Sequence, residues 1–593
     1  MLDRLVKKHA APLAVLCVAA LAYAAYYFVP ANPDTPALRS GTLFVLLALM
    51  LYVPVSRALS RQPLRALVYG GAFAYVLLLC IGVGCELEFY DGLLPGMGAL
   101  LRRFAAPALL APAVGSLVSF AFTFAPAHAR QKKPIPFAVF FLVLVACYGA
   151  CLLALYPGVI SYDFEHEIQQ ITSGVYLAAH PVFHTLLMGR LIRLGEAIFG
   201  SMTAGCALYH AVQLTLLAAL YAWALTFVQR RIPRAAVLLL FAGFALLPFH
   251  GVLAVSTAKD PLFAGLCTAL CLLLWEIAEN PAAFLSSRPR IARFALCCLG
   301  VALLRHNGVF AYTLALIAAL VLLRKHLRRA ALIVLTALVL CVGVPKGLEA
   351  ALHAEETPST ELMSIPCQQL MRTAVRAELT PGEYDKIAAW FSFQVDRYRE
   401  NCADPAKGGN FDSARLKREA KDFLSLYLKT ALRHPRVYAE AFLENTIGLW
   451  YPGDTSHAHT LSGEQAEYIY LNTVYPFPPE RYPIEPRCLF PALEKLLYQT
   501  MHFSKHENVP FLAQLYCPAT YTFALLLATL LAFYKRRRAQ ALALLPMWGL
   551  TLSIFFAAGV FVRYAYPMMA AVPLLLLLVL FSSPSGEVFS CPD

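Results

Sequence analysis

The sequence predicts an all-α polytopic membrane protein of about fourteen transmembrane helices. A mainly helical extracytoplasmic domain is expected before the last three spans. Three observations carry that prediction. Of 593 residues, 59% are hydrophobic and 14% charged, with a mean hydropathy of +0.61; soluble chains carry roughly a quarter charged residues. Apolar runs of spanning length recur along the chain. Basic residues gather in short clusters between those runs: RALSRQPLR at 57–65, ARQKK at 129–133, QRRIPR at 229–234, RKHLRR at 324–329 and KRRR at 535–538. That is the positive-inside pattern. The formal charge of +13 therefore reports orientation and contact with anionic headgroups, and argues against a nucleic-acid partner.

The apolar runs fall at 11–29, 41–56, 66–84, 105–125, 136–155, 203–228, 235–250, 261–277, 291–304, 308–323, 330–347, 511–533, 540–561 and 565–582. The basic head and long apolar stretch at the N-terminus read as a first span, not a removed signal peptide. With the N-terminus cytoplasmic, every basic cluster falls on the cytoplasmic side. The segments 85–104, 156–202, 250–260, 305–307, 348–510 and 562–564 then lie outside. The expected organisation is a four-span extension at 1–135, a transmembrane module at 136–347 with a first outer loop at 156–202, a soluble domain at 348–510, and three final spans at 511–593. A multi-pass membrane location, with both termini cytoplasmic, is expected.

Within 348–510, TPGEYDKIAAWF has Thr380 three residues before Glu383 and Pro381 at the first helical position, a capping-box start. SARLKREAKDFLSLYLKTALRHP places Leu416, Ala420, Phe423, Leu424, Tyr427 and Leu428 on one face of a single predicted helix, closed by Pro435. Residues 451–488 read as loops. Most of the sixteen cysteines lie in apolar runs as small hydrophobes. Cys367, Cys402 and Cys488 fall in the polar region, where an oxidising compartment would permit a disulfide.

Polar residues that flank the spans gather on the outer side. Asp163, Glu165, His166, Glu167, His180 and His184 lie in the first outer loop. Lys259 and Asp260 stand in STAKDPLF, Arg305 and Asn307 in LLRHNGVF, and Arg563 and Tyr564 in VFVRYAYP. Lys259, Arg305 and Arg563 are cations on the face that the positive-inside rule disfavours. Cations hold phosphate oxygens by charge-assisted hydrogen bonds, and a carboxylate takes a proton from an attacking hydroxyl. The combination suits a lipid-phosphate substrate.

Ordinary structural roles compete at several positions. Glu167 suits the N-terminal dipole of a loop helix. Asp260 suits the N-cap of a helix that begins at Pro261. Arg305 and Arg563 would snorkel to headgroups, and Tyr564, Trp450 and Tyr451 would sit in an interfacial aromatic belt. His180 and His184, one turn apart, with Asp163 would offer a divalent ion ligands, but H-x-x-x-H lacks the Glu of the zincin motif, so no metal is assigned.

The ordered set YPG-x-x-S-x-D (Tyr156–Asp163), HP (His180–Pro181), KD-x-x-F (Lys259–Phe263), R-x-N-G (Arg305–Gly308), E-x-x-S-I-P-x-Q-Q (Glu361–Gln369) and RY (Arg563–Tyr564) resembles the GT-C-fold glycosyltransferases. Closest is a bacterial family of uncharacterised multi-spanning proteins related to them. The resemblance runs from about residue 136 to the C-terminus. It implies transfer of a sugar from a polyprenyl-phosphate carrier to a glycan or glycolipid acceptor. It implies Asp163 as catalytic base, with Glu165 as the second acidic candidate. His180, His184, Lys259, Arg305, Asn307, Arg563 and Tyr564 are the substrate and phosphate candidates. Rival readings are a flippase for a lipid-linked sugar, a surface-polysaccharide polymerase or ligase, and a scaffold that binds through 348–510.

Overall fold

Inside hydrocarbon a backbone must satisfy its own polar groups, and the apolar runs do so as helices. The computed structural model describes residues 2–25, 41–60, 65–91, 97–123, 133–161, 163–356, 363–392, 398–407, 410–452, 482–501 and 512–581. Among these, the only β pairings are isolated bridges. Six helices are long and apolar enough to cross a membrane: Ala105–Thr123, Phe137–Ala154, Met202–Val228, Asp260–Glu279, Arg324–Ala351 and Val562–Phe581. Arg234–Leu246 and Pro248–Ala254, bent by 53°, make a seventh if taken as one span. The bend follows from Pro248, which drives Leu247 into extended backbone (φ −68°, ψ 122°). Of the other expected spans, those at 11–29, 41–56 and 66–84 fall on helices Leu2–Ala25, Gly41–Ser60 and Arg65–Asp91, and the rest on shorter or broken helices. The run 540–561 divides into Arg538–Ala541, a 3-10 turn at Leu542–Leu544, and Leu545–Ile554.

Large side chains such as Leu239 (70% exposed) and Leu332 (66%) stand on the outer surface of these helices. A surface with so much open apolar area belongs against lipid.

The described residues up to Thr123, with Trp450–Pro452, form one compact unit; the remainder form a second. In the first unit, Val15, Ala19 and Ala22 pack with Leu51, Val55 and Ala113, while Val76 and Cys80 meet Ala106. Small residues let membrane helices approach closely. A Cβ at Gly115 would lie 2.3 Å from the Tyr69 ring.

In the second unit, Asp260–Glu279 is enclosed on nearly every side by Met202–Val228, Arg288–Leu304, Gly308–Leu322 and Val562–Phe581. Basic residues close the far end of Val562–Phe581. Lys535 Nζ donates to the Leu580 carbonyl (2.6 Å) and Arg537 to that of Val579 (2.9 Å). Cations there satisfy carbonyls that have no helical partner and complement the helix dipole.

The polar segment after Leu327–Ala351 folds around its own core of Cys367, Leu370, Met371, Ile387, Trp390, Phe411, Phe423 and Tyr438. The expected capping box is present: the Glu383 carboxylate accepts from the Thr380 N–H (3.0 Å) and hydroxyl (2.8 Å). The S-I-P-x-Q-Q stretch becomes helix Ser364–Arg376, and its glutamines knit the domain. Gln368 donates to the carbonyls of Arg399 and Glu400, and Gln369 donates to Tyr438 O while accepting from the Tyr427 hydroxyl. The single helix expected over 413–433 is two, Ser413–Arg418 and Ala420–Arg433. Arg415 accounts for the break: it donates to Ala389 O (2.7 Å) and lies 4.3 Å from the centre of the Trp390 ring, tying the first piece to the residues that end helix Pro381–Ala388. Cys367, Cys402 and Cys488 are free thiols.

Arg372, 1% exposed, lies between Glu440 (3.2 Å) and Glu444. Removing one partner of a buried ion pair costs about 3–5 kcal/mol. Arg372→Met should therefore lower the melting temperature of the detergent-solubilised chain, and adding Glu444→Leu should restore part of the loss, both read by size-exclusion after heating.

Candidate functional site

The chain leaves helix Phe137–Ala154 through Gly158, whose φ of +115° is a conformation that only glycine adopts readily. A Cβ there would meet His210 Nδ1 at 2.2 Å, and that nitrogen donates to Pro157 O (2.6 Å). Beyond it, two short extended segments lie side by side and parallel. Val159 N–H donates to Val255 O (2.8 Å), and Thr257 N–H donates back to Val159 O (2.9 Å). The Thr257 hydroxyl accepts from Ser161 N–H (2.7 Å) and donates to Ser161 Oγ (2.9 Å). This register brings two charged residues together. Two residues past Ser161 is Asp163, and two residues past Thr257 is Lys259; their charged ends are 3.1 Å apart.

Asp163 stands at the N-terminus of helix Phe164–Ser173 without capping it through its side chain. Its carboxylate turns instead to Lys259 Nζ and Arg563 (3.2 Å), which share Oδ2. The helix buries Phe164 and Ile168 against Met188, Ile192, Cys206 and Tyr209. Glu167 is one turn after Asp163 and shares its face. It is 1% exposed and meets His184 Nδ1 (2.7 Å) and Lys259 (3.5 Å). Glu167 is therefore a member of the site, not the dipole-complementing surface residue that the sequence suggests. Glu165 projects elsewhere and accepts from Gln169 (3.1 Å), while His166 is exposed. The second acidic group is Glu167 in place of the expected Glu165.

Lys259 Nζ also donates to His180 Nδ1 (3.0 Å). Lysine has no acceptor, so that imidazole nitrogen carries no proton. Burial, reinforced by Lys259, lowers His180 to about 4. Asp163, Glu167 and His180 offer ligand atoms within 4.8 Å of one another. The Lys259 ammonium contacts all three and neutralises the charge that would draw a divalent ion. The His180–His184–Asp163 grouping does not form, because His184 is turned to Glu167 and Tyr209.

A buried hydrogen-bond chain runs from Glu167 into the membrane helices. Gln213 Nε2 donates to the carbonyls of Ala254 (3.1 Å) and Ser256 (2.6 Å). Its amide oxygen must therefore face Tyr209, whose hydroxyl donates to it (2.7 Å). The Tyr209 oxygen then accepts from His184 Nε2 (3.1 Å), leaving Nδ1 for Glu167. His184 thus links Glu167 to Tyr209 through its two ring nitrogens.

Asp260 and Arg305 form the second half of the site. Asp260 is the first residue of its helix and not its cap; Lys259 holds the cap position. The fully buried Asp260 carboxylate meets Arg305 in an ion pair, so its expected capping role is replaced by a charge-pairing one. Burial lowers Arg305 to about 10. Arg305 and Arg563 lie 4.7 and 5.1 Å from the centre of the Tyr564 ring, and Arg563 donates to its hydroxyl (3.4 Å). Tyr564 is thus a shared platform for two guanidinium groups. Asn307 lies aside, donating to Ser553 (3.4 Å) and fixing the turn that carries Arg305.

Burial opposes ionisation of Asp163, but Lys259, Arg563 and His180 outweigh it and hold the carboxylate well below its ordinary range. Burial likewise opposes Glu167, and His184 and Lys259 prevail. Three cations and the buried Asp163 carboxylate give the cluster groups that can bind an anion and accept a proton.

Sequence reasoning found Asp163, Lys259, Arg305 and Arg563, which the fold unites across up to 400 positions. It missed Glu167, Tyr209 and Gln213; the last two sit i, i+4 inside an apolar run, a spacing that signals a polar stripe.

A family model described as "Family of unknown function (DUF6020)" matches residues 162–587, which include every member of this cluster. No curated protein and no solved structure matches the chain.

The lowered His180 has a defined pH signature. Between its unfolded value near 6.5 and its folded value of about 4, only the unfolded chain binds the proton, so its stability contribution is full above that window and falls on acidification. The depressed carboxylates act at lower pH, below the ordinary value of 3.8 for Asp163. From pH 7 to 4.5 the melting temperature of the wild type should drop further than that of His180→Gln, which keeps an acceptor for Lys259 but cannot titrate.

Proposed function

The chain belongs to the DUF6020 family, and we propose that it is a membrane glycosyltransferase of GT-C type that moves a sugar from a polyprenyl-phosphate carrier to a glycan or glycolipid acceptor. In this reading the chain has about fourteen spans, both termini are cytoplasmic, and the cluster and the 348–510 domain face the outside of a bacterial plasma membrane. The supporting observation is the carboxylate of Asp163, held at one oxygen by both Lys259 and Arg563, beside Arg305 and Tyr564.

The reaction is a direct displacement. The acceptor hydroxyl gives its proton to Asp163 as its oxygen bonds to the anomeric carbon. The bond from that carbon to the carrier phosphate breaks, and the electron pair leaves with the phosphate. Lys259, Arg305 and Arg563 stabilise the departing anion. Asp163 is a poor base while both cations hold it. A donor phosphate that recruits Arg563 relieves it of one counter-charge, so basicity rises when the donor is in place. Glu167, with His184 behind it, keeps Lys259 in position.

A second reading, a flippase for the same lipid-linked sugar, is favoured by one observation. Tyr566, inside a membrane-crossing helix, bonds Tyr221 (3.0 Å) and His250 (2.8 Å), all buried, and buried polar groups at membrane depth suit a pathway. Transfer in membranes supplied with carrier-linked sugar separates the two. Asp163→Asn should reduce transfer by about 10²-fold or more, Arg563→Gln should also depress it, and Glu165→Gln should retain it. Wild-type transfer by Asp163→Asn would sink the mechanism; sugar translocation without transfer would favour the flippase.

A further inference from the structure

Helix Ala420–Arg433 carries two apolar rows, and only one is covered. Phe423 faces the domain core with Trp390 and Tyr438. Leu424, Leu428 and Leu432, spaced by four, are 54%, 51% and 83% exposed. Beside them runs a second exposed row of Lys421, Ser425, Lys429 and Arg433, with Lys417 and Arg418 just before it. Asp422 is the one exposed acid on this helix. Arg433 pairs with Glu383, whereas Lys417, Arg418, Lys421 and Lys429 give the face a positive excess. Leucines in a stripe edged by lysines are the pattern of helices that lie in the boundary between headgroups and acyl chains.

The domain that presents this helix is fastened to the end of a membrane helix. Ala403 N–H donates to Ala558 O (2.6 Å), Asn445 donates to Ala557 O (3.1 Å), and the rings of Phe442 and Phe555 stack at 6.2 Å. Residues 555–561 lead directly into the membrane-crossing helix Val562–Phe581. A bilayer surface is thus always within reach of the domain, while a soluble partner would have to be recruited. The charge of the face complements anionic lipid.

We propose that Ala420–Arg433 is a membrane-surface anchor. Leu424, Leu428 and Leu432 enter the acyl boundary of the adjacent leaflet, and Lys421 and Lys429 contact the phosphates of anionic lipids. The anchor is independent of the reaction assigned to the Asp163 cluster. It fixes the domain against the bilayer by a second contact, apart from its seat on 555–561.

The test uses the full chain with photoreactive p-benzoylphenylalanine at position 428, in nanodiscs of phosphatidylcholine with or without phosphatidylglycerol. Mass spectrometry after irradiation should show lipid adducts at least three-fold above those from the same group placed at exposed Asp385. Phosphatidylglycerol should raise the yield at least two-fold, and Lys421→Gln with Lys429→Gln should remove that rise. A polypeptide adduct at 428, a lipid yield no higher than at 385, or equal yields in the two lipid mixtures would each overturn the proposal.

Discussion

The ammonium of Lys259 is the contact on which the site depends. Its three hydrogen-bond donors are directed to Asp163, Glu167 and His180, which come from two different places in the segment 156–202. Two carboxylates buried this closely would repel, and one would be driven to protonate. The ammonium lets both remain ionised. Its position is set by backbone, not by side-chain preference: the parallel pairing of 159–161 with 255–257 fixes the register, and Gln213 clasps the carbonyls of Ala254 and Ser256. A residue deep in Met202–Val228 therefore helps place a charge at the end of a different helix.

The polarity of the Gln213–Tyr209–His184–Glu167 chain extends this constraint. Each donor is fixed by the group behind it, starting from backbone carbonyls that can only accept. The chain ends at His184 against Glu167, at the back of the cluster. Satisfied networks of this kind rigidify, and their partial loss is costly because every member is buried. Asp163, Arg563 and Tyr564 lie outside this hydrogen-bond chain and are held by ion pairs and ring contacts instead.

Much of this was legible in the sequence, for physical reasons that differ by residue. Helices were legible because apolar periodicity is local. Lys259, Arg305 and Arg563 stood out because cations on the expected outer side break a topological rule. Glu167 was hidden among Asp163, Glu165 and His166, because composition does not give helical phase; four positions from Asp163 is the same face, and two is not. Asp260 has the composition of an N-cap, and only the three-dimensional approach of Arg305 assigns it otherwise. The break at Glu419 was invisible because Arg415 and Trp390, far apart in sequence, create it. Bends within spans were less legible, since Pro248 turns one apolar run by 53° and the run 540–561 divides into short helical pieces.

The pairing of charges also limits how an anionic ligand can enter. Lys259, Arg305 and Arg563 face Asp163, Glu167 and Asp260, so the cluster has little net charge to spend on a phosphate. An arriving anion must replace a carboxylate partner, not add to the set. The three carboxylates are not equally able to yield. Glu167 and Asp260 have side chains 1% and 0% exposed, held by His184 and Arg305 respectively, whereas the Asp163 side chain is 12% exposed and draws both its cations to one oxygen. Displacing a buried carboxylate leaves an uncompensated charge in a low-dielectric setting; in the proposed reaction Asp163, whose side chain is the most exposed of the three, is the one that yields. In the proposed reaction, the same exchange that admits a phosphate would release a base, with Glu167 and Asp260 holding Lys259 and Arg305 in place.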